Sequence, residues 1–172
     1  IVWADELAER LKAVKPGIWD SPDSAYGPLI SPQAVERVSG LIQKGIDQGA
    51  NCLVDGRDIV VEGYPNGNSL GPTLFTDVST EMDIYQEEIF GPVAFLVPFE
   101  TTEEAIEVSN NVHVGLASYV YSGSDATLDE FVDKLEFGDT YFIGANSTSV
   151  KVNQTMIFNN QIFAATESGV YQ

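Results

Sequence analysis

Between Val93 and Gly144 the chain alternates runs suited to strands with runs suited to helices: "VAFLVPFE", "TTEEAIEVSNN", "GLASYVYS", "SDATLDEFVDKLEFG" and "TYFIG". This alternation constrains the fold most, because consecutive strands separated by a helix are joined by right-handed crossovers and lie parallel. The helical runs carry their own boundary signals. Thr101 and Glu104 have capping-box spacing, Ser124 or Asp125 caps the later run, and Gly138 stops it. Leu128, Phe131, Val132 and Leu135 fall on one face of that later helix. "VAFLVPFE" is almost unbroken in apolar character, which predicts a strand buried on both faces.

Upstream, Trp3, Leu7, Leu11 and Val14 recur at helical spacing opposite Glu6, Glu9, Arg10 and Lys12, and Pro16-Gly17 ends that helix. A second helix opens with Ser31 as N-cap and Pro32 at the first helical position, with Gly49 to close it. The predicted helices therefore cover Asp5–Val14, Ser31–Gln48, Glu103–Ser109 and Ala126–Glu136. "ANCLVDG", "RDIVVEGY" and "TLFTDV" read as strands, and "YPNGNSLGP" as turns. A length of 172 residues with 44% hydrophobic content supports one core. The expected architecture is a single α/β domain over residues 1–172, three-layered, with a largely parallel sheet and further strand and turn in 139–172.

Charge narrows the partners. Twenty-six acidic residues against eight basic ones give a formal net charge of -18, which repels phosphate backbones and anionic headgroups. Nucleic acid and membrane surfaces are not expected partners; the acidity suits either a high-salt cell or simply a soluble, self-repelling surface. The longest apolar run, Ile89 to Phe99, is interrupted by Gly91, Pro92 and Pro98 and falls far short of the about 20 residues a membrane span needs. Cys52 is the single cysteine, so no internal disulfide forms and a cytoplasmic setting is expected. No charged-then-apolar leader follows Ile1, so no signal peptide is expected, and the glycosylation patterns at Asn146 and Asn153 carry little weight.

No Ser-His-Asp arrangement, zinc pattern, phosphate loop or G-x-G-x-x-G is present, and His113, the only histidine, stands in "NNVHVG" without companions. The stretch that asks for an explanation is "EMDIYQEEIFGPVAFLVPF", Glu81 to Phe99. Two adjacent carboxylates, Glu87 and Glu88, precede the turn Phe90-Gly91-Pro92 at the entrance to a strand. Such a pair is ordinarily a solvated turn; the other reading is a site.

"YQEEIFGPV" resembles the cofactor-side motif of the aldehyde dehydrogenase superfamily. From Trp3 to Gly138 the chain is similar to the methylmalonate-semialdehyde dehydrogenase branch, including G-Y-x-N-G-N-x-x-G-P-T at Gly63 to Thr73. The resemblance implies an aldehyde dehydrogenase catalytic-domain-like fold. It also implies oxidation of an aldehyde through a cysteine thiolate, hydride transfer to NAD, and release of the thioester by water or, in this branch, by coenzyme A. Carried over by position, Glu88 accepts hydrogen bonds from the nicotinamide ribose hydroxyls and Phe90 packs beside the ring, while Glu87 faces solvent.

The chain also departs from the family. Cys52 sits where the resemblance places an ordinary strand and reads as a structural thiol. The dinucleotide-binding domain is absent from the sequence, as are the family's general base and oxyanion-stabilising asparagine. "FNNQIFAATESGVYQ", Phe158 to Gln172, resembles the family's nucleophile segment with Phe163 where the cysteine belongs. In the family that segment precedes the helix corresponding to Asp5–Val14, which implies a circularly permuted order with Phe163 beside the Glu88 turn and Gln172 near Ile1. Two readings follow. One is a homologue of a CoA-acylating, NAD-dependent semialdehyde dehydrogenase whose chemistry is lost, as in a pseudoenzyme, or depends on a missing dinucleotide-binding domain. The other is a non-catalytic interaction or homo-oligomerisation domain that keeps the fold.

Overall fold

The computed structural model describes residues 3–112, 115–137, 139–144 and 163–165. The chain divides into two compact units, Ile1–Pro98 and Phe99–Gln172.

In the first unit, helix α1 (Ala4–Lys12) turns Ala4 and Ala8 inward, against Val54, Leu74 and Leu96, with Trp3, Leu7 and Leu11 partly buried around them. Its outer face carries Arg10–Glu6 and Lys12–Glu9 ion pairs at 2.7 and 2.6 Å, each worth about 0.2–0.5 kcal/mol at such exposed sites. Helix α2 (Pro32–Asp47) starts as expected: the Ser31 side chain accepts the Ala34 N–H, and Pro32 occupies the first turn. Its buried stripe is Val38, Leu41, Ile42 and Gly45, and Gly49 follows it at φ 99° in the left-handed region that stops helices.

Three short strands complete this unit: β1 (Asn51–Val54), β2 (Thr73–Thr76) and, after the single-turn helix α3 (Asp83–Gln86), β3 (Val93–Phe95). They form one sheet in the order β1-β2-β3, with β1 antiparallel and β3 parallel to β2. Every residue of the central strand β2 is buried. Strand β3 is only three residues long and leaves Ala94 exposed, so the strand buried on both faces is β2 and not "VAFLVPFE". "RDIVVEGY" is not a strand either; it is turn structure with one isolated bridge between Val61 and Tyr64, because its β-branched residues find no neighbouring strand to pair with.

The second unit follows the predicted alternation closely. Helix α4 (Thr102–Asn110) is capped by the Thr101 hydroxyl, which accepts the Glu104 N–H, while Glu104 reaches back to the Glu100 N–H, one residue before the capping-box position. Strand β4 (Ala117–Ser122), helix α5 (Asp125–Lys134), strand β5 (Asp139–Gly144) and strand β6 (Phe163–Ala165) follow. The sheet order is β5-β4-β6, and both pairings are parallel. Ala105, Ile106, Val120, Leu128 and Phe131 form its core with Phe99 and Leu135 packed around them. Val132, expected on the apolar face of α5, is instead 52% exposed.

The α/β class is as the sequence implies, and three of the four named strand pairings are parallel. The expected single sheet is, among the described residues, two three-stranded sheets. No helix among the described residues is long and apolar enough to cross a membrane.

Candidate functional site

Glu88 and Phe90 lie in the turn between α3 and β3, and the turn is built by contacts from distant segments. On the α3 side, Asp83 is held by three bonds: its carboxylate accepts from Lys44 Nζ at 2.6 Å and from Gln48 Nε2 at 2.9 Å, and its N–H donates to Gln48 Oε1 at 2.9 Å. The Lys44 and Gln48 bonds hold the Asp83 carboxyl below the usual carboxylate range, and the bond to Asp83 in turn raises the Lys44 ammonium. Ile84 packs so closely on Gly45 that a Cβ there would lie 2.8 Å from Ile84 Cδ1. These contacts dock α3 on the last turns of α2. Glu87, expected to face solvent, is exposed and lies 3.6 Å from Lys44 Nζ.

Beyond Glu87 the chain passes over the middle of α2. Arg37 Nη1 donates to the Glu88 carbonyl at 3.2 Å and Nη2 donates to the Ile89 carbonyl. Ile89 is buried, and the Thr73 N–H of β2 donates to the Pro92 carbonyl at 2.9 Å. Phe90, between these anchors, has φ 54°, a left-handed conformation that costs a non-glycine residue about 1–2 kcal/mol. Charge-assisted bonds are worth about 1.5–3 kcal/mol each, so two of them offset that strain even after discounting for the exposure of Arg37. Gly91 is required by close approach rather than by torsion: a Cβ on it would lie 2.9 Å from Val38 Cγ1, and Val38 is fully buried.

The turn therefore presents the Glu88 carboxylate and a Phe90 ring that is 61% exposed. Among the described residues the Glu88 carboxylate has no hydrogen-bond or ion-pair partner. A carboxylate that is unpartnered among the described residues, two positions from an exposed aromatic ring, can accept hydrogen bonds while the ring offers a flat apolar surface.

The other residues singled out by the sequence fall elsewhere. Cys52 lies in β1 opposite Phe75, with its thiol 3.3 Å from the Val54 carbonyl. Burial, and after it the Asp55 carboxylate, pushes the Cys52 thiol up, away from the thiolate a nucleophile needs. The backbone of Phe163 pairs with Tyr119 in the second unit. The chain ends whose proximity the permuted order requires, Ile1 and Gln172, lie outside the described residues, as do His113, Asn146 and Asn153. Among the described residues no group of three or more His, Cys, Asp or Glu could hold a metal ion. Arg37 escaped the sequence reading because a lone arginine on the polar side of a helix carries no local mark of a partner some fifty residues away.

Comparison with known proteins gives a consistent result. Residues 2–158 match the model of the "Aldehyde dehydrogenase family". Over 144 residues the chain is 44% identical to a mitochondrial methylmalonate-semialdehyde dehydrogenase [acylating] of Arabidopsis thaliana, a match covering 84% of this chain and 23% of that protein. Identity to the human mitochondrial methylmalonate-semialdehyde/malonate-semialdehyde dehydrogenase [acylating] is 41%, covering 84% of this chain and 26% of that protein. Among solved structures, a putative methylmalonate-semialdehyde dehydrogenase from Sinorhizobium meliloti 1021 complexed with NAD is similar with a TM-score of 0.76 at 33% identity, covering 81% of this chain and 28% of that one. An NAD+ complex of aldehyde dehydrogenase from Bacillus cereus gives 0.74 at 36% identity, covering 83% and 28%. The chain thus spans about a quarter of the length of these relatives. The family match stops at Phe158, where the tail segment containing Phe163 begins.

Proposed function

Because the chain belongs to the aldehyde dehydrogenase family, and its curated relatives are methylmalonate-semialdehyde dehydrogenases, we propose that the Glu88–Phe90 turn is the nicotinamide-side rim of an NAD site. The observation that carries this reading is the turn itself: a carboxylate with no partner among the described residues and an exposed ring, on a backbone bonded from α2 and from β2. Glu88 accepts hydrogen bonds from the ribose hydroxyls, which orients the sugar, and Phe90 flanks the nicotinamide. NAD, when bound, accepts the hydride of aldehyde oxidation; the protein's part at this turn is to bind and orient.

The relatives' names further support a semialdehyde substrate and an acyl-CoA product for the longer enzyme architecture to which this chain is similar. On the resemblance of Phe158 to Gln172 to the family's nucleophile segment, Phe163 stands where the family carries its cysteine, and a phenyl ring cannot form the covalent adduct of aldehyde oxidation. A single, half-buried thiol suits a reducing compartment; the cytoplasm is our reading, and the relatives named above are mitochondrial.

Calorimetric titration of the chain with nicotinamide mononucleotide, AMP and NAD tests the reading. Saturable binding of nicotinamide mononucleotide, weakened about tenfold or more by Glu88→Gln or Phe90→Ala, with no binding of AMP, is the expected outcome. Absence of any nicotinamide-end binding would refute it. The second reading, an interaction domain, is favoured by Trp19 and Ile30, which are 94% and 95% exposed. Under that reading Trp19→Ser disrupts self-association and leaves the nucleotide titrations flat.

A further inference from the structure

Among the described cations, Arg37 and Lys15 pair with no carboxylate, and of these two only Arg37 makes side-chain hydrogen bonds. Arg10, Lys12, Lys44, Arg57 and Lys134 each hold a carboxylate. Arg37 sits beside Glu36 in sequence and contacts the chain next to Glu87 and Glu88, yet its guanidinium binds two successive backbone carbonyls. Charge pairing does not account for that choice in so acidic a protein. The geometry does account for it. In an extended chain successive carbonyls point to opposite sides. Here those of Glu88 and Ile89 converge on one guanidinium, and the next residue, Phe90, is left-handed at φ 54°. The planar fork of arginine can take both carbonyls at once, which the single ammonium of lysine does less well.

Buried Ile89 and the Thr73 bond to Pro92 hold the turn on either side of Phe90. Within the turn itself, Arg37 is what keeps the two carbonyls together, and so leaves the Glu88 carboxylate and the Phe90 ring outward. We propose that Arg37 is a positioning residue for the Glu88–Phe90 rim, acting through the backbone and not by touching the cofactor. This inference rests on reading the rim as a nicotinamide site.

The test compares the full chain with Arg37→Met, Arg37→Lys and, as a control in the same unit, Arg57→Met. Backbone three-bond couplings and Cα/Cβ chemical shifts of Phe90 report whether it stays left-handed, and nicotinamide mononucleotide is titrated into the same samples. Arg37→Met is expected to erase the left-handed signature, leave the amide spectrum of β2 in place, and weaken nucleotide binding about tenfold or more. Arg37→Lys, which keeps charge, stem and one donor direction, is expected to recover part of both effects and carries the test if the methionine variant unfolds. Arg57→Met is expected to change neither. A folded Arg37→Met or Arg37→Lys protein in which Phe90 remains fully left-handed and binding is unchanged would overturn the inference. If the signature collapses but the unmodified chain binds no nucleotide, the positioning role stands and the cofactor reading fails. If all the proteins bind nucleotide alike, Arg37 is dispensable and the cofactor reading stands.

Discussion

Strands β4 and β5 each run six residues, whereas β1, β2 and β3 run four, four and three. The second unit is held by repetition: two parallel pairings around β4, one helix before and one after that strand, and a core drawn from those elements. The first unit contains more chain outside regular structure, and long-range single contacts hold it. Tyr26 donates its hydroxyl to the Leu70 carbonyl at 2.9 Å, Gly71 N–H donates to the Gly56 carbonyl at 2.8 Å, and Leu29 N–H donates to the Asn68 carbonyl at 2.9 Å. The candidate site belongs to this second style of construction. Left-handed Phe90 could not be held by a local strand or helix ladder, which would impose its own torsions; it needs anchors from elsewhere.

The contrast can be broken at its strongest points first. Phe131 is 2% exposed at the centre of the second unit, and Phe131→Ala is expected to cost about 3–5 kcal/mol, measured by urea unfolding. Hydrogen exchange should then accelerate in Ala117–Ser122 while Thr73–Thr76 stays protected; simultaneous loss in both would show one cooperative body.

Gly56→Ala tests the other style. A Cβ at Gly56 would lie 2.0 Å from the Gly71 carbonyl oxygen, a backbone atom that no side-chain rotation can clear, so the expected loss is about 1–3 kcal/mol. The effect should open the loops joining β1 to β2 and leave β4 protected. An unchanged midpoint would mean that this crossing of two backbones is not needed.

The pH dependence sharpens the same point. Burial raises the Tyr26 phenol from 10.0 to about 12. Below pH 10 the phenol is protonated in both folded and unfolded chains and its contribution is intact. As the pH rises through the interval up to about 12 the unfolded chain ionises first, so stability falls. Tyr26→Phe should lower stability at neutral pH, through the lost bond to Leu70, and flatten the fall above pH 10. An unaltered alkaline slope would assign that fall to other groups.

The smallest effect should be equal in the two units. Ser31→Ala and Thr101→Ala each remove a side-chain acceptor from a helix N-terminus, 3.1 Å from the Ala34 and Glu104 N–H groups respectively, and each is expected to cost about 1 kcal/mol. A large difference between them would show that one helix depends on its cap and the other on its packing.

The sequence alone determined what depends on neighbours a few residues apart. Ser31 and Pro32 start α2, Thr101 and Glu104 start α4, Ser124 starts α5, and the alternation of strand and helix after Val93 yields parallel pairing of β4 with β5. These are local signals, and tertiary contacts reinforce them. The letters around Glu88 likewise identified the turn by resemblance, with no knowledge of its shape. Only the tertiary structure decided that β-branched Ile59, Val60 and Val61 form no strand, that buried β2 and not β3 is the centre of its sheet, and that the strands divide between two sheets. It alone showed that Phe90 is left-handed, in a turn whose flanking carbonyls are bonded by a guanidinium on α2 and by a strand N–H at Thr73. The physical reason is the same in each case: strand pairing and backbone strain depend on partners supplied from tens of residues away, and nothing in a local window encodes whether such a partner arrives.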